Sequence, residues 1–291
     1  MELFFISGAR QLLDIAKNDR KARGRPRGWA DPADQNTIKS LERAMEIFEY
    51  LSEASGQTLS ALSADLGQAP ATVYRVLLTL EKRRLVEFDA EDQRWHIGPH
   101  AFVIGSRFLR RTSLVERARP IMRRLMEATG ETANLGIVQD DAVLFVSQVE
   151  THASIRAFFP PGTLSPLHAS GIGKALLAQM PRERLDRILS RNGLQAFTPK
   201  TLTTRADLDR DLEVTRARGH SIDDEERNGG MRCVAAPVFD MHGEAAAGIS
   251  VSGPTSRMSE EKASSLAALV VGAAAELTVA LGGAAPVRPP A

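Results

Sequence analysis

Cysteine is almost absent: Cys233 is the single one in 291 residues, which excludes an internal disulfide framework and any cysteine cluster for zinc, and fits a reducing cytoplasm. Aromatics are equally sparse. Both tryptophans (Trp29, Trp95) and both tyrosines (Tyr50, Tyr74) fall in the first third of the chain, leaving the remainder only phenylalanine for stacking. Neither sign of charge dominates, with 37 Lys plus Arg against 36 Asp plus Glu, so bulk charge points to no polyanionic or polycationic partner. No apolar run approaches membrane-spanning length, and no membrane association is expected. The apolar start, Met1 to Ile6, has Glu2 and lacks both a basic n-region and a small-residue cleavage site, so it does not read as a signal peptide.

What charge there is clusters. Arg20, Lys21, Arg23, Arg25 and Arg27 crowd one segment, and Arg107, Arg110, Arg111, Arg117, Arg119, Arg123 and Arg124 another, the local density that a phosphate backbone attracts. Residues 21–28 hold too few apolar side chains to fold alone. Within them Arg23-Gly24-Arg25-Pro26 resembles the core of an AT-hook, whose arginines lie in a narrow A·T minor groove; the alternative is a solvated basic linker. Residues 1–19 fit a short amphipathic helix or a frayed start.

From Asn36 the apolar residues take a helical period: Ile38, Leu41, Met45, Phe48 and Leu51 predict one buried face. Leu59, Leu62 and Leu66 predict a second short helix, Gly67 to Pro70 a turn, and Val73, Val76, Leu77 and Leu80 the inward side of a third. Strand-like Leu85 to Phe88 and Arg94 to Ile97 follow around a turn. Helix, short helix, tight turn, helix and two-stranded wing describe a winged helix-turn-helix, with Gln68, Thr72, Tyr74 and Arg75 as candidates for double-stranded operator DNA, joined by Arg23, Arg25 and Arg27 of the arm. A generic three-helix bundle has the same periodicity but not the wing and basic flanks.

Beyond Pro99, a helix with Phe102, Ile104, Phe108 and Leu109 leads into a basic helix ending at Gly130, suited to joining domains and pairing with a second copy. Strands are expected at Thr132–Val138, Ala142–Val149 and near Ser154–Phe158; helices at Gly171–Met180, Arg182–Arg191 and Arg205–Arg218. An acidic loop (Asp223 to Glu226) precedes a hairpin of Cys233–Phe239 and Ala246–Val251. A last helix after Ser259 is expected to bury Leu266, Leu269, Val270, Ala273 and Leu277. The fold class is therefore α+β, with expected divisions of an extension over 1–35, the winged helix-turn-helix over 36–98, a linker helix over 99–118, a ligand-sized domain over 119–283 and a disordered tail over 284–291.

Two stretches, Ser165-Pro-Leu-His-Ala-Ser-Gly-Ile-Gly-Lys-Ala175 and Gly219 to Pro254, read after a winged helix, resemble the IclR family of transcriptional regulators over roughly residues 36–283. The resemblance implies a GAF-like effector domain and a dimer or dimer of dimers; it implies no cofactor and no metal. Members sensing glyoxylate or pyruvate are similar in using a Gly-small pair, an aspartate, a cysteine and a Ser-X-Ser strand, which here are Gly171 and Ile172, Asp223, Cys233, and Ser250 with Ser252. Ile172 departs from the expected alanine, so it either shrinks the pocket or turns its side chain away. Physical reasoning points to the same ligand class. If Ser170 caps a helix starting at Gly171, the N–H groups of Gly171, Ile172 and Gly173 converge on one place and favour an anion. Ser250 and Ser252, two apart on a strand, share a face, and Asp223 accepts from a hydroxyl or a hydrated aldehyde. A small oxo- or hydroxy-acid of a catabolic pathway is expected, glyoxylate first, with a larger or aromatic acid (stacking on Phe158 or Phe159) as the alternative. A cysteine-dependent enzyme using Cys233, with His168 or His220 as base, is a further alternative that leaves the winged helix unexplained. Lys174 reads as a solvated or fold-stabilising charge, and His168 as a hydrogen-bonded structural histidine.

Overall fold

The computed structural model describes residues 37–111 and 114–284. The extension with Arg23, Arg25 and Arg27, and residues 285–291 of the expected tail, lie outside the described residues. The chain divides between Phe108 and Leu109 into two compact units.

In the first unit α1 spans Lys39–Ser52, α2 Leu59–Asp65 and α3 Pro70–Glu81, followed by the wing β1 (Val86–Asp89) and β2 (Arg94–Ile97). Local chemistry sets the boundaries. Thr58 Oγ1 accepts from Ala61 N at 3.2 Å and starts α2, and Pro70 occupies the first turn of α3, where its missing N–H costs nothing. Ile47, Leu51, Leu62, Val73, Leu77, Val86 and Trp95 close the core, and Trp95 bonds back to Gln57 through both backbone groups (3.0 and 2.8 Å). The helical period expected for α1 is present, but the buried face differs. Ile47 and Leu51 point inward while Ile38, Leu41 and Met45 are 64, 55 and 42 % exposed. The helix carries apolar residues on more than one stripe, and a core this small takes only one of them.

The division falls within α4 (Pro99–Arg111), and α5 (Leu114–Thr129) is the first helix that lies wholly in the second unit. The expected linker boundary at residue 118 thus falls inside α5, whose Leu114, Ala118, Ile121 and Met122 already belong to the second core. That core is built on an antiparallel six-stranded sheet of order β5-β4-β3-β8-β7-β6. The strands are β3 Thr132–Gln139, β4 Ala142–Val149, β5 Leu164–Pro166, β6 Ser221–Asp224, β7 Met231–Phe239 and β8 Ala245–Pro254. One face packs on α5 and α9 (Glu260–Ala280); the other packs on α6 (Gly171–Leu177), α7 (Arg182–Asn192) and α8 (Arg205–Arg218).

Several expectations change here. Residues 154–158 form no strand; the pairing with β4 is made instead by β5, past Pro160 and Pro161. The acidic stretch expected as a loop begins as strand β6, at the edge of the sheet, where Asp223 pairs with Cys233. α6 stops at Leu177 rather than Met180. In α9, Leu266, Val270 and Leu277 are buried but Leu269 is 44 % exposed. At 21 residues and mean hydropathy 1.7, α9 is the one helix among the described residues that is long and apolar enough to cross a membrane by length and composition, which corrects the expectation that no such run exists. Its buried side, with Leu266, Val270 and Leu277, packs on β7 and α5.

Candidate effector pocket and DNA-facing helix

In the first unit Val73 and Leu77 anchor α3 from within, which turns Thr72, Tyr74 and Arg75 to solvent. The Tyr74 ring is 45 % exposed and lies outside the core cluster. Gln68 does not reach outward: its Nε2 donates to Glu46 Oε2 at 3.2 Å, which ties the turn to α1. Three of the four DNA candidates on the helix-turn-helix are therefore presented together, and Gln68 is held back.

In the second unit strand alternation builds a pocket floor. Along β8, Ala247, Ile249 and Val251 enter the core under α5 and α9, so Ser250 and Ser252 face the opposite side. The register then aligns polar side chains across neighbouring strands. Asp223 pairs with Cys233, Cys233 with Ser252, and Ser252 with Thr132. In the adjacent row Ser250 lies between Ala235 and Asn134. Asn134, fully buried, donates from Nδ2 to Ser252 Oγ at 3.2 Å and accepts from Gln148 Nε2 at 3.0 Å, fixing that serine. Ser250 Oγ has no partner of ordinary hydrogen-bond geometry, only the weak Cys233 thiol beside it.

α6 closes over this floor. Ser221 Oγ donates to Gly171 O at 2.6 Å, and a Cβ on Gly171 would lie 2.6 Å from Cys233 Sγ, so only glycine lets the helix come this near. Ser170 caps the helix as expected, but its Oγ accepts from Gly173 N at 3.3 Å. That N–H is therefore spent, and only those of Gly171 and Ile172 remain for a ligand. Ile172 does turn its side chain away: its Cγ2 sits in a notch between the cross-strand partners Gly136 and Gly248. The resulting cavity, about 290 Å³ counting the space open to solvent at its mouth, brings together Gly171, Ile172, Asp223, Cys233, Ser250 and Ser252. Phe145, Phe159, Ser165, Ala169, Ser170 and Arg227 complete its lining, with the rings of Phe145 and Phe159 stacked at 5.0 Å. Phe158, the other stacking candidate, is exposed and does not contribute.

Enclosure sets the electrostatics. Counted as whole residues Asp223 and Cys233 are half-buried, yet their reactive groups are enclosed. Burial pushes the Asp223 carboxyl up to about 6, against the pull of the Glu226 N–H bond (2.9 Å) and Lys174. Burial, helped by the Asp223 charge, pushes the Cys233 thiol up to about 12. At neutral pH Cys233 is therefore a protonated thiol and a poor nucleophile. Neither candidate base lines the cavity: His168 Nε2 bonds Gln195 O at 3.0 Å, and burial lowers its pKa, as suits a structural histidine. Lys174 is fully buried rather than solvated, with Glu226 at 2.5 Å and Asp211 at 3.2 Å. Burial alone would lower its pKa, but those two acids outweigh it and raise it. Glu226 is in turn pushed up to about 7, chiefly by burial.

A sign follows for ligand binding. The Asp223 proton is held in the folded state below about pH 6 and released above it, against an ordinary value of 3.8. Stability due to the protonated form is therefore complete below about pH 4 and lost as pH rises through about 6. A carboxylate bound in the same small cavity strengthens the hold on that proton. Pyruvate affinity is expected to rise as pH falls from 8 toward 6, by up to about tenfold per unit, and Asp223→Asn to flatten the profile. Titration calorimetry across that range checks this; a flat wild-type profile contradicts it.

Reading the sequence missed Arg227, Phe145, Ser165 and Asn134. Arg227 carried a signal, a lone base directly after four acids, and Ser165 opens the family-like stretch without a role of its own there; Phe145 and Asn134 sit in apolar or mixed strands with nothing to set them apart.

Similarity to known proteins follows the same two-unit division. Residues 40–90 match the IclR helix-turn-helix domain, and residues 106–279 match the bacterial transcriptional regulator IclR C-terminal domain. The chain is 56 % identical over 261 residues to the HTH-type transcriptional regulator BhcR of Paracoccus denitrificans, covering 89 % of this chain and 94 % of that protein. It is 39 % identical over 264 residues to the transcriptional repressor IclR of Escherichia coli, covering 90 % and 96 %. Among solved structures, IclR of Thermotoga maritima superposes with a TM-score of 0.72 at 29 % identity, covering 84 % of this chain and 100 % of that one.

Proposed function

The chain belongs to the IclR family of transcriptional regulators, and from that premise we propose that its C-terminal cavity senses a small oxo- or hydroxy-carboxylic acid, with glyoxylate as the first ligand to test. The protein is a ligand-responsive DNA-binding regulator and not an enzyme. What supports the finer reading is the row Asp223–Cys233–Ser252 with Ser250, aligned by register opposite Gly171 in one small cavity. Hydroxyl donors, two free backbone N–H groups and one acceptor with a raised pKa are what a short oxo-acid or its hydrate needs. At about 290 Å³, part of it open to solvent, the cavity lies at the small end of ligand sites.

Regulation would follow if the acid binds two arrangements of the protein unequally, because equal affinity shifts no population. The proposed output is altered pairing of recognition helices in a cytoplasmic dimer or dimer of dimers on operator DNA. Thermal shift with glyoxylate and pyruvate, followed by operator binding with and without the acid that stabilises, tests the whole reading. Stabilisation together with a changed operator affinity is expected; no response to any short oxo- or hydroxy-acid would falsify it. The stacked Phe145–Phe159 pair favours one second reading, an aromatic acid, for which benzoate belongs in the same screen.

A further inference from the structure

We infer that Arg227 is the specificity-determining residue of the pocket, taking the carboxylate of the bound acid in a position set by Phe197. The inference rests on the reading of the cavity as an acid site and adds which side chain selects the acid.

Arg227 lines the cavity, half-buried, and its guanidinium carbon stands 4.0 Å from the centre of the Phe197 ring. Among the described residues the guanidinium makes no hydrogen bond and no ion pair. The partly or fully buried arginines elsewhere in this unit do otherwise: Arg232 pairs with Asp224 at 2.5 Å and Arg257 with Glu131 at 2.7 and 2.8 Å. The neighbouring acids are already engaged. Asp223 accepts from the backbone N–H groups of Glu226 and Arg227, and Glu226 is bound to Lys174. Lys174 is fully buried between Glu226 and Asp211 and does not line the cavity, so it cannot serve an incoming anion. The cavity therefore contains one cation whose donors are unspent. A guanidinium partly removed from water, with the Coulomb pull of Asp223 but no bonded anion, lacks what an entering carboxylate supplies.

The mounting is specific to arginine. A planar guanidinium stacks on an aromatic face and keeps its fork of N–H donors in one plane for two parallel bonds to a carboxylate, which an ammonium cannot reproduce. The ring beneath it is fixed from the other side. Thr198 Oγ1 donates to Glu225 O at 2.7 Å and Thr201 Oγ1 to Glu226 O at 2.6 Å, so the segment carrying Phe197 is fastened to the residues that precede Arg227. With the carboxylate held by Arg227, the oxo or hydroxyl end of a short acid faces the Asp223, Cys233 and Ser252 row.

The test uses full-length protein, titration calorimetry and the matched pair pyruvate and pyruvamide, with glyoxylate as a second acid. Arg227→Gln is expected to weaken both acids by about 10- to 100-fold while pyruvamide affinity stays within about twofold of wild type, with Arg227→Lys intermediate. Phe197→Leu, as a positioning change, is expected to weaken pyruvate in the wild-type background and to add nothing in Arg227→Gln. Equal losses for pyruvate and pyruvamide, or unchanged acid binding in Arg227→Gln, overturn the inference alone. Wild-type protein that binds none of the three ligands overturns the acid-site reading with it.

Discussion

Replacing Lys174 by methionine is expected to lower the unfolding free energy of the C-terminal unit by about 3–5 kcal/mol at pH 8, among the largest effects of any single change here. The ammonium is fully buried, and its loss strands Glu226, whose side chain is 7 % exposed. Asp211, at 25 %, retains water and suffers less. The loss should shrink at pH 6. Glu226 already holds its proton to about pH 7, above the ordinary 4.5, and without the cation it holds it to higher pH still. A raised carboxyl contributes stability while protonated and loses it as pH rises through the folded value, so the penalty grows from pH 6 to pH 8. Lys174→Met with Glu226→Gln removes both charges and is expected to recover more than half of the loss. Urea unfolding of the three variants at both pH values measures this. A loss below about 1 kcal/mol at pH 8 would mean the buried charge pair is not what holds α6 to the segment after β6.

Gly171→Ala is expected to destabilise by about 1–3 kcal/mol and to abolish effector binding, because the new methyl would stand 2.6 Å from Cys233 Sγ. Its remaining close neighbours, Cys233 Cβ and Ala235 Cβ at 3.4 Å, are tight but tolerable. Cys233→Ala in the same chain should therefore restore most of the stability. Gly173→Ala offers no such remedy. Its methyl would meet the backbone of Leu167, 2.1 Å from the carbonyl oxygen, and no side-chain deletion relieves that. The contrast is checked by thermal melting: rescue of Gly173→Ala by Cys233→Ala, or its absence for Gly171→Ala, refutes the packing account. It also bears on what Cys233 is for. A residue kept for packing against Gly171 and for lining a cavity, with a thiol pushed up to about 12, is used for its size and not for its reactivity.

Much of the architecture was legible because period and punctuation are local. Val73 and Leu77, Thr58 before α2, Pro70 at the start of α3, and the alternation through β7 and β8 each state their structure within a few residues. The candidate pocket residues were legible for a different reason, a resemblance that places each of them at a motif position. The misreadings share one cause. Which stripe of α1 turns inward, whether residues 154–158 find a strand partner, and whether Asp223 lies in a loop or at a sheet edge depend on neighbours far along the chain.

From its sequence alone this protein is determined to be a winged helix followed by an α+β domain, without disulfides, with its candidate ligand groups distributed over two separated stretches. Only the tertiary structure decides that Asp223, Cys233 and Ser252 fall in register on adjoining strands, that Lys174 is locked inside rather than solvated, and that Arg227 has its donors unspent among the described residues. Periodicity is a property of neighbouring residues, whereas burial, charge pairing and a free guanidinium are set by what the rest of the chain brings alongside.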